Sequence, residues 1–250
     1  MTPTSRISVV TATFNRAETL AQCLRSVQNQ TYSDVEHIIQ DAGSTDWSLE
    51  VIKAMITENT KLISHTDGGI YDGINKGIAR ATGDIIGLLH SDDFYASDTV
   101  LEKVAKLMED PAVDGVYGDL DYVDAEDTSK IIRKWRSGNY AANRLRQGWM
   151  PPHPTVYLRR EVFESWGVYD TSYFVGADYD AMLRYLVKGK VNLAYLPEVM
   201  VKMRRGGKSN GSFANILRKS SEDYRSIRRN GVGGFGTLAR KNFSKVSQFF

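Results

Sequence analysis

Cysteine occurs once in these 250 residues, at Cys23, so no intramolecular disulfide and no cysteine-rich metal centre can form. Set among Leu20, Leu24 and Val27 at helical spacing, that thiol reads as a small buried apolar residue. No apolar run approaches the roughly 18 residues of a membrane-spanning helix. The first eight residues lack the apolar stretch of a secretory signal, and with a single cysteine this points to a reducing cytoplasmic compartment. Neither an internal repeat nor a low-complexity linker divides the chain. Acids are scarce at one end: within residues 201–250 only Glu222 and Asp223 face twelve lysines and arginines, although the net charge is only +2. An acidic body with a basic tail suits a polyanionic partner such as a membrane surface or a phosphate-bearing substrate. Nucleic acid is set aside, because the body is acidic and no recognisable nucleic-acid motif is present.

What is present is an alternation of strand-like and helix-like segments. Ile7–Thr13 is β-branched, and Ala17–Gln30 then puts Leu20, Leu24 and Val27 on one helical face. A second strand ends at Asp41, and a helix follows with core face Val51, Ile52, Met55 and Ile56. Lys61–Ser64 reads as a third strand, and a glycine-rich loop, Asp67–Gly77, leads into a helix through Ile74 and Ile78. Asp84–Leu89 reads as a buried strand ending at the polar group His90–Asp93. This order predicts an α/β fold with a mixed, mostly parallel central sheet flanked by helices and a C-terminal helical extension. Ligands of such sheets bind beyond the carboxyl ends of the strands, where Asn15, Asp41 with Asp46, and Asp92 with Asp93 fall. Residues 1–205 are expected to form one domain, with a nucleotide-binding half at 1–95 and an acceptor half at 96–205; residues 206–250 form the basic extension.

Adjacent carboxylates at a strand terminus repel each other, and Asp92–Asp93 makes sense if they hold a divalent cation such as Mg²⁺ or Mn²⁺; helix capping is the plainer alternative. Asp41 could accept hydrogen bonds from a base or ribose, whereas Asp46 reads as a first-turn acid complementing a helix dipole. The stretch from Gly68 and Gly69 through Asp72, Asn75 and Gly77 permits close backbone approach to a ligand, yet matches neither the dinucleotide nor the P-loop pattern.

Four segments in order, Ser8–Arg16 (SVVTATFNR), Gln40–Asp46 (QDAGSTD), Asn75–Asp93 (NKGIARATGDIIGLLHSDD) and Gly176–Tyr185 (GADYDAMLRY), resemble the family 2 glycosyltransferases with the GT-A fold, across roughly residues 5–210. The resemblance implies inverting transfer from a nucleoside-diphosphate sugar. It puts Thr11 and Asp41 at the nucleotide, with Asn15, Asp72, Asn75 and Asp92 in the same donor site. One of Asp92 and Asp93 would touch the ribose and the other the metal. Asp178 matches the family's base, favoured over Asp180. Three positions depart from the pattern: His90 replaces an aspartate, Ala177 a glutamate and Ile74 an arginine. His153, in Pro151–Pro154, is a candidate for positioning the acceptor or a phosphate, alongside a purely structural role. Arg204 and Lys208, in Lys202–Asn210, resemble a lid over the diphosphate.

In the tail, Phe235, Leu238, Ala239, Phe243, Val246, Phe249 and Phe250 share one broad helical face flanked by Arg240, Lys241 and Lys245, a pattern that fits an anionic membrane interface. A helix packed on the parent domain is the alternative. Interfacial binding would make a glycan or lipid-linked acceptor of the cell envelope the natural partner. A non-catalytic nucleotide-sugar or glycan-binding protein on the same fold is the rival reading; retention of Asp92, Asp93 and Asp178 argues against it.

Overall fold

The computed structural model describes residues 5–205 and 213–244. Its first half is a repeated strand–helix unit: β1 (Ile7–Thr13), α1 (Ala17–Gln28), β2 (Val35–Asp41), α2 (Ser48–Met55), β3 (Thr60–Ser64), α3 (Ile70–Arg80) and β4 (Ile85–Leu88). β1 pairs in parallel with β2 and with β4, and β2 pairs in parallel with β3. Helices cover such strands on both faces, so β1 and β4 are buried without alternation: Ile7, Ser8, Val9, Val10, Ile85 and Ile86 all lie inside. Cys23 is fully buried on α1, as its neighbours implied.

The second half turns the sheet from parallel to mixed. Its elements are β5 (Phe94–Tyr95), α4 (Val100–Leu107), β6 (Gly115–Val123), β7 (Ile131–Trp135), α5 (Ala142–Leu145), β8 (Tyr157–Arg159), α6 (Arg160–Trp166), α7 (Ala177–Leu183) and β9 (Leu193–Arg204). The strand order is β3-β2-β1-β4-β8-β6-β9-β5, with β7 also paired to β6. β8 lies antiparallel between β4 and β6, so one continuous sheet crosses the expected boundary between the two halves. Three features of this half lie beyond what sequence periodicity shows, which reads Asn192–Tyr195 as a short strand and Asp178–Lys188 as one helix. β5 was missed, because two residues leave no periodicity. β9 extends far beyond Asn192–Tyr195, carried past Pro197 by irregular register with β6 at Gly118–Leu120. The helix expected over Asp178–Lys188 runs as α7 and then a π turn at Arg184–Lys188.

After β9 come α8 (Phe213–Arg229) and α9 (Phe235–Ser244), which pack on α7 and on each other. The main core, around Tyr117, Leu158, Phe163, Tyr179 and Met182, takes in Ile227 and Val232 and is covered by Leu238. The C-terminal extension is therefore built into the same core as the body.

Candidate active site

A continuous cleft of about 2430 Å³ runs from the carboxyl ends of β1, β2 and β4, past α3, to a wall made by β7, α7 and the C-terminal helices. Side chains expected at its nucleotide end divide into those that face it and those that shape it. Thr11 is fully buried beneath the sheet, its hydroxyl 2.9 Å from His37 Nε2, and does not reach the cleft. Asn15 takes the left-handed conformation (φ 52°); its Oδ1 accepts the Thr45 N–H at 2.9 Å, stitching the β1–α1 turn to the loop after β2. Asp41 has no exposure, and its carboxylate accepts the N–H groups of Gly43 (3.1 Å) and Ser44 (3.0 Å) and the Ser64 hydroxyl (2.6 Å). Its lone pairs are spent on the turn at Gly43, whose φ of +80° suits glycine. Asp46 bridges the first turns of α1 and α2, accepting from Ala17 and Ser48, the local role read for it from sequence. The cleft surface here is formed by Thr13, Phe14, Arg16, Ala42 and Gly43.

The acidic pair after β4 is split. The Asp93 N–H closes a turn onto the His90 carbonyl at 2.9 Å, which turns the two side chains to different sides. Asp92 lines the cleft with 27% of its side chain exposed, and its Oδ2 is 3.9 Å from Arg16 Nε. Asp93 is 1% exposed and does not line the cleft; its Oδ1 accepts the Arg204 N–H at 3.1 Å, while its Oδ2 has no hydrogen-bond partner. Burial first, then the neighbouring Asp92 charge, push its pKa well above the ordinary carboxylate range. Among the described residues no group of three or more His, Cys, Asp or Glu side chains converges as a metal cage. The donor set left in the cleft, Asp92 with His90 beside it, fits a cation that takes most of its ligands from water and substrate phosphates, as Mg²⁺ does.

On α3, Asp72 lines the cleft, with its Oδ2 2.8 Å from Lys76 Nζ and accepting the Gly68 N–H at 2.8 Å. Lys76 first, then that N–H, hold its carboxyl below the ordinary value. Asn75 faces away from the cleft and clamps the Tyr169 backbone at both its N–H (3.0 Å) and its carbonyl (2.7 Å). Ile74 is buried in the core, which explains why a charge is absent at that position.

At the far end Asp178, in the first turn of α7, lines the cleft, and its Oδ1 accepts the Tyr179 N–H at 2.8 Å. Asp180 is 1% exposed and engaged by Tyr173 Oη (3.2 Å), Asn230 Nδ2 (3.1 Å) and Arg184 Nε (3.7 Å). It holds α7 to α8 and never meets the cleft. His153 is buried, 2.7 Å from Tyr169 Oη, with the His90 ring 5.9 Å away. Burial lowers its pKa to about 4 against the pull of Asp178, so the imidazole is neutral at physiological pH. The outer wall combines apolar groups (Ile131, Trp135, Trp149, Phe174) with cations (Arg136, Arg144, Arg218, Lys219).

Arg204 ends β9, and its guanidinium donates to the Asp92 carbonyl at 2.5 Å and to Gln22. The expectation of a lid residue is corrected for it: it is a strand residue that ties β9 to the β4 turn. Lys208 lies outside the described residues. Arg16, Tyr71, Trp149 and Lys241 line the cleft and were not singled out as site residues; only Arg16 had a signal, since it closes the first family-like segment.

An α/β sheet of this topology, with a cleft across the carboxyl ends of β1, β2 and β4, is the GT-A architecture of nucleotide-sugar transferases. The Staphylococcus aureus TarS structure in complex with UDP-GlcNAc is similar at a TM-score of 0.70, with 16% identity over 91% of this chain and 66% of that one. The Pyrobaculum calidifontis mannosyltransferase PcManGT, in complex with GDP-Man and Mn²⁺, is similar at 0.69, with 19% identity over 97% of this chain and 70% of that one. The sequence model of Glycosyl transferase family 2 matches residues 8–171. A PGL/p-HBAD biosynthesis glycosyltransferase of Mycobacterium bovis is 33% identical over 81% of this chain and 78% of its own length. An uncharacterised glycosyltransferase of Nostoc is 32% identical over 64% of this chain and 52% of its own. The chain belongs to glycosyltransferase family 2, and the reading as a non-catalytic binding protein gives way to that of an enzyme.

Proposed function

We propose that this enzyme transfers a sugar, with inversion, from a nucleoside-diphosphate donor to a hydroxyl of an amphipathic, lipid-linked or polysaccharide acceptor. The observation that carries the reading is that Asp178 and Asp92 line one cleft while their neighbours Asp180 and Asp93 are turned into the protein. The donor lies along the edge formed by Thr13, Arg16, Gly43, Asp72 and Asp92. Asp178 accepts the proton of the acceptor hydroxyl as its oxygen attacks the anomeric carbon. The bond from that carbon to the diphosphate oxygen breaks, and the electron pair leaves with the nucleoside diphosphate. Asp92 would hold the Mg²⁺ or Mn²⁺, which when bound supplies neutralising charge at the leaving diphosphate. His153, which lines the cleft and is held by Tyr169 Oη, is neutral and adds no charge there.

Support for an amphipathic acceptor comes from the outer wall, where Ile131 and Phe174 are exposed beside Arg218 and Lys219. Phe235 (72% exposed), Ala239 and Phe243 (74%) form an outward stripe on α9 next to Arg240, which favours contact with an anionic membrane at its cytoplasmic face. Leu238, expected on that face, and Lys241, expected beside it, turn toward the body; Lys245, Val246, Phe249 and Phe250 lie outside the described residues.

Calorimetry with UDP- and GDP-linked sugars, in Mn²⁺ and then in EDTA, tests the donor site. One donor should bind in a metal-dependent way. Asp178→Asn should bind that donor normally and lose turnover by about 10²- to 10⁴-fold. Metal-independent binding, or full turnover by Asp178→Asn, would remove the proposal's basis.

A further inference from the structure

The carboxylate of Glu222, on α8, accepts three consecutive backbone N–H groups. Phe174 donates to Oε1, and Val175 and Gly176 donate to Oε2, each at 2.9 Å. The side chain is only 12% exposed, and Arg218 Nε stands 3.9 Å from Oε1. Gly176 is the residue before α7, and Asp178 is the second residue in that helix. A Cβ at Gly176 would lie 3.2 Å from the Glu222 Cβ, so the loop and α8 are in direct contact. From the opposite side, the Tyr71 hydroxyl on α3 donates to the Val175 carbonyl. The peptide leading to Asp178 is thus held on its N–H side by α8 and on its carbonyl side by α3.

Three N–H groups aimed at one carboxylate are charge-assisted bonds, stiffer than a neutral loop contact. The Asp178 carboxylate is bonded to the N–H of its own helix neighbour, so its direction follows the start of α7. Any rotation of the 174–176 segment would therefore turn Asp178 in the cleft. We infer that Glu222 is a positioning residue of this transferase, which fixes the approach to α7 and so aims the Asp178 carboxylate at the acceptor hydroxyl. It lies beyond residues 8–171, which match the family's sequence model, and brings α8 into the reaction machinery. The inference rests on Asp178 being the base.

The test uses the full chain with the UDP- or GDP-linked sugar that binds it by calorimetry; its hydrolysis, with water as the acceptor, is followed through the release of UDP or GDP. Glu222→Gln keeps the shape and removes the charge; Asp178→Asn is run beside it. Glu222→Gln should lower kcat by about 10- to 100-fold, the scale expected when a reacting group shifts by about 1 Å. Donor KM, calorimetric donor affinity and thermal midpoint should stay near wild type, while amide exchange rises at residues 174–178. Unchanged kcat would overturn the inference. So would a joint collapse of kcat, donor affinity and thermal midpoint, because that is the signature of a clamp that only holds the fold. If Asp178→Asn turns over normally, the base assignment itself fails. An inactive Asp178→Asn beside a fully active Glu222→Gln sinks the positioning role alone.

Discussion

Lys241 Nζ lies 2.6 Å from Asp223 Oδ1, with the two side chains only 4% and 3% exposed, and 3.1 Å above the ring of Tyr179. This ion pair joins α9 to α8 at the cleft wall, beside the helix that carries Asp178. Helical spacing had grouped Lys241 with the solvated cations flanking an apolar face. In the structure α9 instead turns Thr237, Leu238 and Lys241 toward the body, and leaves Phe235 and Phe243 outside.

Removing one member of so buried a pair leaves an uncompensated charge, so Lys241→Met should destabilise the fold by about 3–5 kcal/mol. The double variant Lys241→Met/Asp223→Leu should recover most of that loss. Urea unfolding midpoints at constant slope are the measurement; a single-variant loss below about 1 kcal/mol would show that the pair does not anchor α9.

Asp92 and Asp93 should separate experimentally as they do in space. Asp92→Asn is expected to remove the Mn²⁺-dependent part of donor binding while leaving the thermal midpoint nearly unchanged. Asp93→Asn should keep that metal dependence, because its carboxylate is buried, bonded to the Arg204 N–H and does not line the cleft. Calorimetry on the two variants decides, and loss of metal dependence in Asp93→Asn alone would reverse the assignment.

His37 is buried and its pKa is lowered to about 4, below the ordinary 6.5, by desolvation of the charged form. As pH falls from 6.5 to 4 the unfolded chain binds this proton first, so stability present at neutral pH is lost across that window. The shift corresponds to about 3 kcal/mol when fully developed. His37→Gln should flatten the pH dependence of unfolding between pH 6.5 and 4; an unaltered slope would mean that His37 titrates normally.

Gly77 lies where α3 crosses β1, and a Cβ there would sit 2.3 Å from Val10 Cγ1. Gly77→Ala should therefore cost about 1–3 kcal/mol through overpacking, despite alanine's better helix propensity. Val10→Ala in the same chain should relieve part of it. An increase in thermal midpoint for Gly77→Ala alone would show that the two elements can move apart.

The first half of the chain was legible because its parallel strands, buried on both faces, are rich in β-branched and apolar residues and end in polar ones. Hence β1, β2, β4 and the positions of Asn15, Asp41 and Asp92–Asp93 were legible as strand ends. The residue types around Asp178 likewise marked α7. Tertiary structure decided which side of each turn a carboxylate faces. Thr11, Asp41 and Asn75 were expected at the ligand, yet they spend their hydrogen bonds on His37, the Gly43–Ser44 turn and the Tyr169 backbone. A local pattern cannot register such partners, which lie on other elements. The same limit hid the course of β9, whose length depends on its pairing with β6, and the burial of Lys241, which depends on an acid 18 residues earlier. Which residues could carry the chemistry was written in the chain; which of them face the cleft was settled by long-range hydrogen bonds and packing.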